Sequence, residues 1–174
     1  AHAAAYMISA LRLGWYKVHR PLEYYAAYFT VRSDDFDGAT AIKGKEAVFR
    51  KMKDLDVKIK NREASPKEEG EFGTLQIINE MLARGIALRP VDLYKSEAKR
   101  FVVEDGQIRL PFSSLAGVGE SAALSLREAR DEGGEYISID DVQARAKVSS
   151  AVIDTLREAG SLSGLPESSQ TTLF

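Results

Sequence analysis

The sequence predicts a mainly α-helical protein: a helical first part, a small β-hairpin near residues 100–111, and a last part of short paired helices. Three observations carry this. Apolar residues recur at three- and four-residue spacing through most of the chain. Asp105-Gly106 sits between two short alternating apolar runs, a strong local hairpin signal. Two helix-turn-helix patterns follow one another near the end, about thirty residues apart. The 174 residues are 44% hydrophobic and 29% charged, which provides a core and excludes disorder. No 18-residue apolar run occurs, so no membrane helix is expected. The lack of Cys excludes a disulfide scaffold, a thiolate zinc site and a thiol nucleophile. With only His2 and His19 as imidazoles, no metal site is expected.

A helical pattern begins at once, with Ala3, Tyr6, Met7, Ala10, Leu13 and Gly14 as its apolar stripe. Residue 1 is Ala, and no capping residue precedes the pattern, so the chain is expected to be a C-terminal piece of something longer. The opposite stripe holds His2, Ser9, Arg12 and Tyr16, either a groove-facing polar face or ordinary solvent surface. Arg20-Pro21 separates it from an aromatic-rich helix over Leu22 to Val31. Tyr24, Tyr25, Tyr28 and Phe29 could stack bases, but at this density they are expected to pack helices together. Ser33 to Gly38 reads as a capping turn; its three acids lack the ligand array of a calcium loop.

A basic helix is expected over 45–60, with Val48, Met52, Leu55 and Ile59 inward and Lys51, Lys53, Lys58 and Lys60 outside. Residues 65–70 read as a mobile polar break. Thr74 to Arg84 forms another amphipathic helix (Leu75, Ile78, Leu82), stopped by Gly85. Ile86 to Leu93 looks extended. Arg100 to Val103 and Gln107 to Leu110 form a two-stranded ribbon, which places the domain boundary near 95–112.

The chemistry lies in two short motifs. Leu115-Ala116-Gly117-Val118-Gly119-Glu120-Ser121 leads into a helix over Ala122 to Arg130, which is the helix-hairpin-helix pattern. Its glycines allow a tight turn and close approach, and the amides after Gly119 open a helix N-terminus toward one DNA phosphate. A second copy runs from a short helix at Ile139 to Ala144, through Lys147-Val148-Ser149, to a helix over Ala151 to Ala159 closed by Gly160. It lacks both glycines, and Lys147 could supply charge instead. Together they predict a four-helix module straddling a duplex minor groove. The DNA-contact candidates are Gly117, Val118, Gly119, Glu120, Ser121, Lys147, Val148 and Ser149. A flexible stretch then leads to Gln170-Thr171-Thr172-Leu173-Phe174, which resembles a bacterial sliding-clamp-binding peptide. Gln170, Leu173 and Phe174 are its pocket-filling residues.

The net charge of −2 conceals an asymmetry. Residues 1–62 carry 12 basic against 7 acidic side chains, and residues 63–174 carry 12 against 19. The basic first third is compatible with nucleic acid, although charge alone favours a solvated surface.

The whole chain resembles the C-terminal end of the bacterial replicative DNA polymerase III α subunit of the PolC type. The resemblance is carried by Ala1-His2-Ala3-Ala4-Ala5-Tyr6, Lys17-Val18-His19, Tyr24 to Arg32, Val91-Asp92-Leu93-Tyr94, Lys147-Val148-Ser149-Ser150 and Leu165-Pro166-Glu167. It implies that residues 1–95 are the end of the fingers, with His2, Tyr6 and Arg12 near the dNTP and template. Residues 96–163 would be the duplex-binding domain, and 164–174 the tail bound to the β clamp. It also implies primer-template DNA as partner, the remainder of the polymerase chain, and a cytoplasmic setting.

The family's reaction needs two metal ions on palm aspartates. Those residues, and their Mg2+, are expected upstream of residue 1, because Asp34-Asp35 and Asp140-Asp141 sit in helix-cap settings. The fragment alone is therefore expected to catalyse nothing. Thr171 stands where stronger clamp peptides carry Leu. The rival readings are a non-catalytic DNA-binding and clamp-docking adaptor, and a purely structural helical protein.

Overall fold

A computed structural model of the chain describes residues 2–168. Among these, eight α-helices and three short strands follow in order: α1 His2–His19, α2 Pro21–Val31, α3 Gly38–Ala41, α4 Lys45–Lys60, α5 Pro66–Ala83, β1 Leu88–Arg89, β2 Val102–Glu104, β3 Gln107–Arg109, α6 Glu120–Gly133, α7 Ile139–Ala146 and α8 Ser150–Glu158. Turns of 3-10 helix stand at Ser33–Asp35 and Phe112–Ser114. The mainly helical class with a small sheet is thus as the sequence predicts. No described helix is long and apolar enough to cross a membrane.

α1 is helical from its start, but it packs no apolar stripe. None of its residues is buried, and Tyr6, Met7, Leu11, Leu13, Trp15 and Val18 are all more than half exposed. Its C-terminal end is tied down by Lys17, whose Nζ donates to Glu80 Oε2 of α5 at 2.7 Å. From α2 onward the chain has a core. Tyr25 and Phe29 are fully buried, and Phe29, Phe36 and Phe101 meet ring to ring at 4.7–5.7 Å. The aromatic run of α2 therefore packs, as its density suggests.

The expected break at 65–70 is instead the first turn of α5. Ser65 caps it, accepting from Glu68 N, while the Glu68 side chain accepts from Ser65 N at 2.8 Å. Pro66 follows at the first helical position, where its missing N–H is harmless. Gly70, a weak helix former, lies beneath a neighbouring side chain that a larger residue would displace. The Asp35 carboxylate approaches to 2.6 Å of the place a Cβ would take. At the other end Gly85 has φ +81, and Ile86 N donates to Met81 O, a Schellman close.

The ribbon also differs. β2 and β3 pair antiparallel around Asp105-Gly106 as expected, but β1 pairs parallel with β3 in register Leu88 to Ile108, so the sheet has three strands. Periodicity gives no signal for a two-residue strand. Thr30 Oγ1 of α2 accepts from Phe101 N at 3.0 Å, and Ser161 Oγ donates to Val91 O at 2.9 Å. One hydrophobic cluster runs from Tyr25 to Leu162, so the 95/96 division falls between paired strands.

The predicted four-helix module contains three α-helices. The arm before Gly117 is the 3-10 turn Phe112–Ser114, because Pro111 and the buried Phe112 fix a turn too short for an α-helix. The second arm is α6, and α7 and α8 form the second hairpin, with α6 and α7 in contact.

Candidate nucleic-acid interface

Gly117 stands at φ +91, a backbone region that only glycine enters freely. Val118 turns inward (4% exposed), and its N–H donates to Leu115 O at 3.0 Å. Gly119 then returns to an extended conformation, φ −68 and ψ 165, and becomes the N-cap of α6. The second hairpin repeats the same order of features with different residues. Lys147 is left-handed at φ 52 and ψ 39, Val148 is buried, and Ser149 is extended at φ −72 and ψ 160 and caps α8. The two loops share one order: positive-φ residue, buried valine, extended cap.

They differ in what remains free. Ser149 Oγ accepts from Val152 N, so part of the α8 terminus is already satisfied. α6 has no side-chain cap, and among the described residues no acceptor meets the amides of Gly119, Glu120, Ser121 and Ala122. Gly117, Gly119, Glu120 and Ser121 are exposed. Such amides at a helix start present positive potential to an anion. A Cβ at Gly119 would meet nothing within 4 Å, so the fold itself does not need glycine there. The close approach that it permits is available to an outside partner.

Both loops expected to contact DNA thus lie at helix starts, but two of their residues turn inward. Val118 and Val148 are core side chains, and the Val118 amide is spent inside the turn. Glu120 is exposed and pairs with Lys99 at 3.2 Å. Lys99 and Lys67 escaped the sequence reading. Together with Gly117 and Gly119 they line an open groove of about 680 Å³, whose far wall carries Asp34 and Asp35. The adjacent basic pair Lys99-Arg100 was the available signal. Lys147 is exposed, and no ion pair holds it among the described residues.

His2 and Tyr6 meet edge to face, with ring centroids 4.7 Å apart on exposed α1. Arg12 lies on the same helix, exposed. Nothing brings these three to the hairpins. Gln170, Leu173 and Phe174 lie outside the described residues.

The acidic runs do not suit a metal. Asp37 caps α3, accepting from Thr40, and binds Lys51 at 2.9 Å; Asp35 faces Arg32 at 3.5 Å; Asp141 accepts from Ile137 N and Arg145. Hydrogen bonds to Thr40 and Lys51 outweigh burial and keep the Asp37 carboxyl below its usual range. Among the described residues no group of three or more His, Asp or Glu side chains is placed to hold an ion.

A family model described as the helix-hairpin-helix motif matches residues 85–172. Over all 174 residues the chain is 46% identical to the PolC-type DNA polymerase III of Halalkalibacterium halodurans and 45% identical to that of Bacillus subtilis. It is 41% identical over 180 aligned residues to that of Thermotoga petrophila. In each case the match spans the whole of this chain but about 12% of the relative's length.

Proposed function

The chain belongs to the helix-hairpin-helix family, and from that premise we propose that it grips duplex DNA by the sugar-phosphate backbone without reading sequence. One observation carries this: the open amides from Gly119 to Ala122 beside an exposed glycine turn whose order of positive-φ residue, buried valine and extended cap recurs at Lys147-Val148-Ser149. In this reading the first loop takes one phosphate oxygen on main-chain donors. The second contributes the Lys147 charge and the remaining amides of α8. Ser121 offers its amide, and Glu120 swings aside with Lys99. Because these contacts are to phosphate, binding must weaken steeply with salt, the logarithm of affinity falling linearly with the logarithm of salt. A flat titration, or no duplex binding at low salt, defeats the proposal.

The identity to PolC-type polymerases along all 174 residues favours a polymerase over a repair adaptor, which has no use for α1. The larger reading is that this is the C-terminal part of a replicative DNA-directed DNA polymerase. Residues 1–95 end the fingers, with His2, Tyr6 and Arg12 facing dNTP and template. Residues 96–163 hold the primer-template duplex, and 164–174 dock the β clamp through Gln170, Leu173 and Phe174. The aspartates at 35, 37 and 141 are held by Arg32, Lys51 and the Ile137 amide, and no cluster of carboxylates among the described residues suits the Mg2+ of phosphoryl transfer. That ion belongs with carboxylates of another part of the polymerase, and no catalytic step is assigned to this chain. By itself it should incorporate no nucleotide. Deleting Leu173 and Phe174 should abolish clamp pull-down and leave duplex binding intact; survival of the pull-down rejects the tail assignment.

A further inference from the structure

Two phosphate-binding loops act as one bivalent site only if their offset is fixed. One side chain spans their junction. Arg145, in the last turn of α7, reaches back to the end of α6. Its Nη2 donates to the carbonyls of Ala129 at 2.7 Å and Gly134 at 3.2 Å. Its Nη1 donates to the Glu135 carbonyl and to Asp141 Oδ2, both at 3.3 Å. The guanidinium also lies 4.0 Å from the ring centroid of Tyr136, itself buried. At Gly133 it fills the space where a Cβ would stand. The fork thus joins the last turn of α6, the connection after it and α7 into one body. Lysine, a single point charge, cannot reproduce that planar set of donations.

We propose that Arg145 is a positioning residue for the duplex grip, fixing the Lys147–Ser149 loop relative to the Gly117–Gly119 loop so that both meet one duplex together. The proposal rests on the reading of the two hairpins as phosphate-binding loops. Lys147 follows Arg145 by two residues, so the anchor lies directly behind the loop that it sets.

The test compares the full chain with Arg145→Lys, Arg145→Met and Gly133→Ala, the last expelling the fork while Arg145 remains. Duplex affinity is titrated against salt at a temperature where circular dichroism shows every compared protein as helical as the parent. Each variant should bind about tenfold more weakly, with a salt slope shallower by about one phosphate contact. In a Lys147→Ala background, Arg145→Lys should bring little further loss, because the second loop is already disabled. A purely structural Arg145 would lower the melting temperature and leave affinity and slope unchanged, which overturns the proposal. Failure of the parent to bind duplex at low salt overturns the hairpin reading itself, a separate outcome.

Discussion

Gly117 and Gly119 look alike in the sequence, yet they are glycine for different reasons. At φ +91 Gly117 serves the turn, so Gly117→Val should cost about 1–2 kcal/mol of stability. Gly119 has an extended backbone and open space where a Cβ would go. Gly119→Val should cost only the N-cap preference, about 1 kcal/mol or less, and weaken duplex binding by blocking close approach. Denaturant melts paired with binding titrations separate the two, and unchanged binding in Gly119→Val would refute the amide cradle. Lys147 inverts the case, being a residue with a Cβ in the left-handed region. Lys147→Gly should stabilise the fold by up to about 1 kcal/mol and make the salt slope of binding shallower by about one. Gly-x-Gly made the first loop legible in the sequence. The second was found by repetition, but its conformation was not, because lysine carries no mark of positive φ.

Among the elements, the long periodic helices could be read and the short or glycine-bearing ones could not. α4 follows its predicted span because Val48, Met52 and Leu55 keep one stripe. α5 begins eight residues earlier than expected: Gly70 and Gly73 obscure the pattern, although Ser65 and Glu68 are at capping-box spacing. Ser65→Ala should cost about 1 kcal/mol, measured by chemical unfolding.

The ribbon holds an acid-sensitive joint. The Glu104 carboxylate accepts from Arg109, Lys95 and Arg89, and Arg109 first, then Lys95, hold it down to about 2 from an ordinary 4.5. Folded protein therefore binds that proton more weakly than the unfolded chain. The stabilisation is complete above about pH 4.5 and is lost as pH falls toward 2. Glu68, lowered similarly by Lys58 and Ser65, titrates in the same window. Glu104→Gln should flatten part of the fall in melting temperature between pH 5 and 2; a curve parallel to the parent's would remove the joint from the acid response.

For the molecule as a whole, the unexpected feature is how little of α1 the fold uses. Helical spacing identified the helix, but spacing cannot say whether a matching surface exists, and among the described residues none covers Leu11, Leu13 or Val18. Burying each such side chain would contribute about 1.5–3 kcal/mol, and an 18-residue helix without tertiary cover is marginal in water. If the chain is the end of polymerase fingers, as proposed, that cover would come from the rest of them. The core, by contrast, starts at Leu22 and Tyr25 and extends unbroken into the hairpins. Its visible side-chain ties to α1 are Lys17–Glu80, a partly exposed pair worth under about 1 kcal/mol, and Lys17 over the Tyr24 ring. A chain starting at Arg20 should thus unfold cooperatively, with a melting temperature within about 4 °C of the parent, since about 1 kcal/mol shifts a protein of this size by roughly 2–4 °C. It should keep its duplex binding and lose the exposed apolar face of α1, read as weaker binding of a hydrophobic dye than the parent's. A drop of more than about 10 °C would make α1 a structural member of this fold, and its exposed face would then need another explanation.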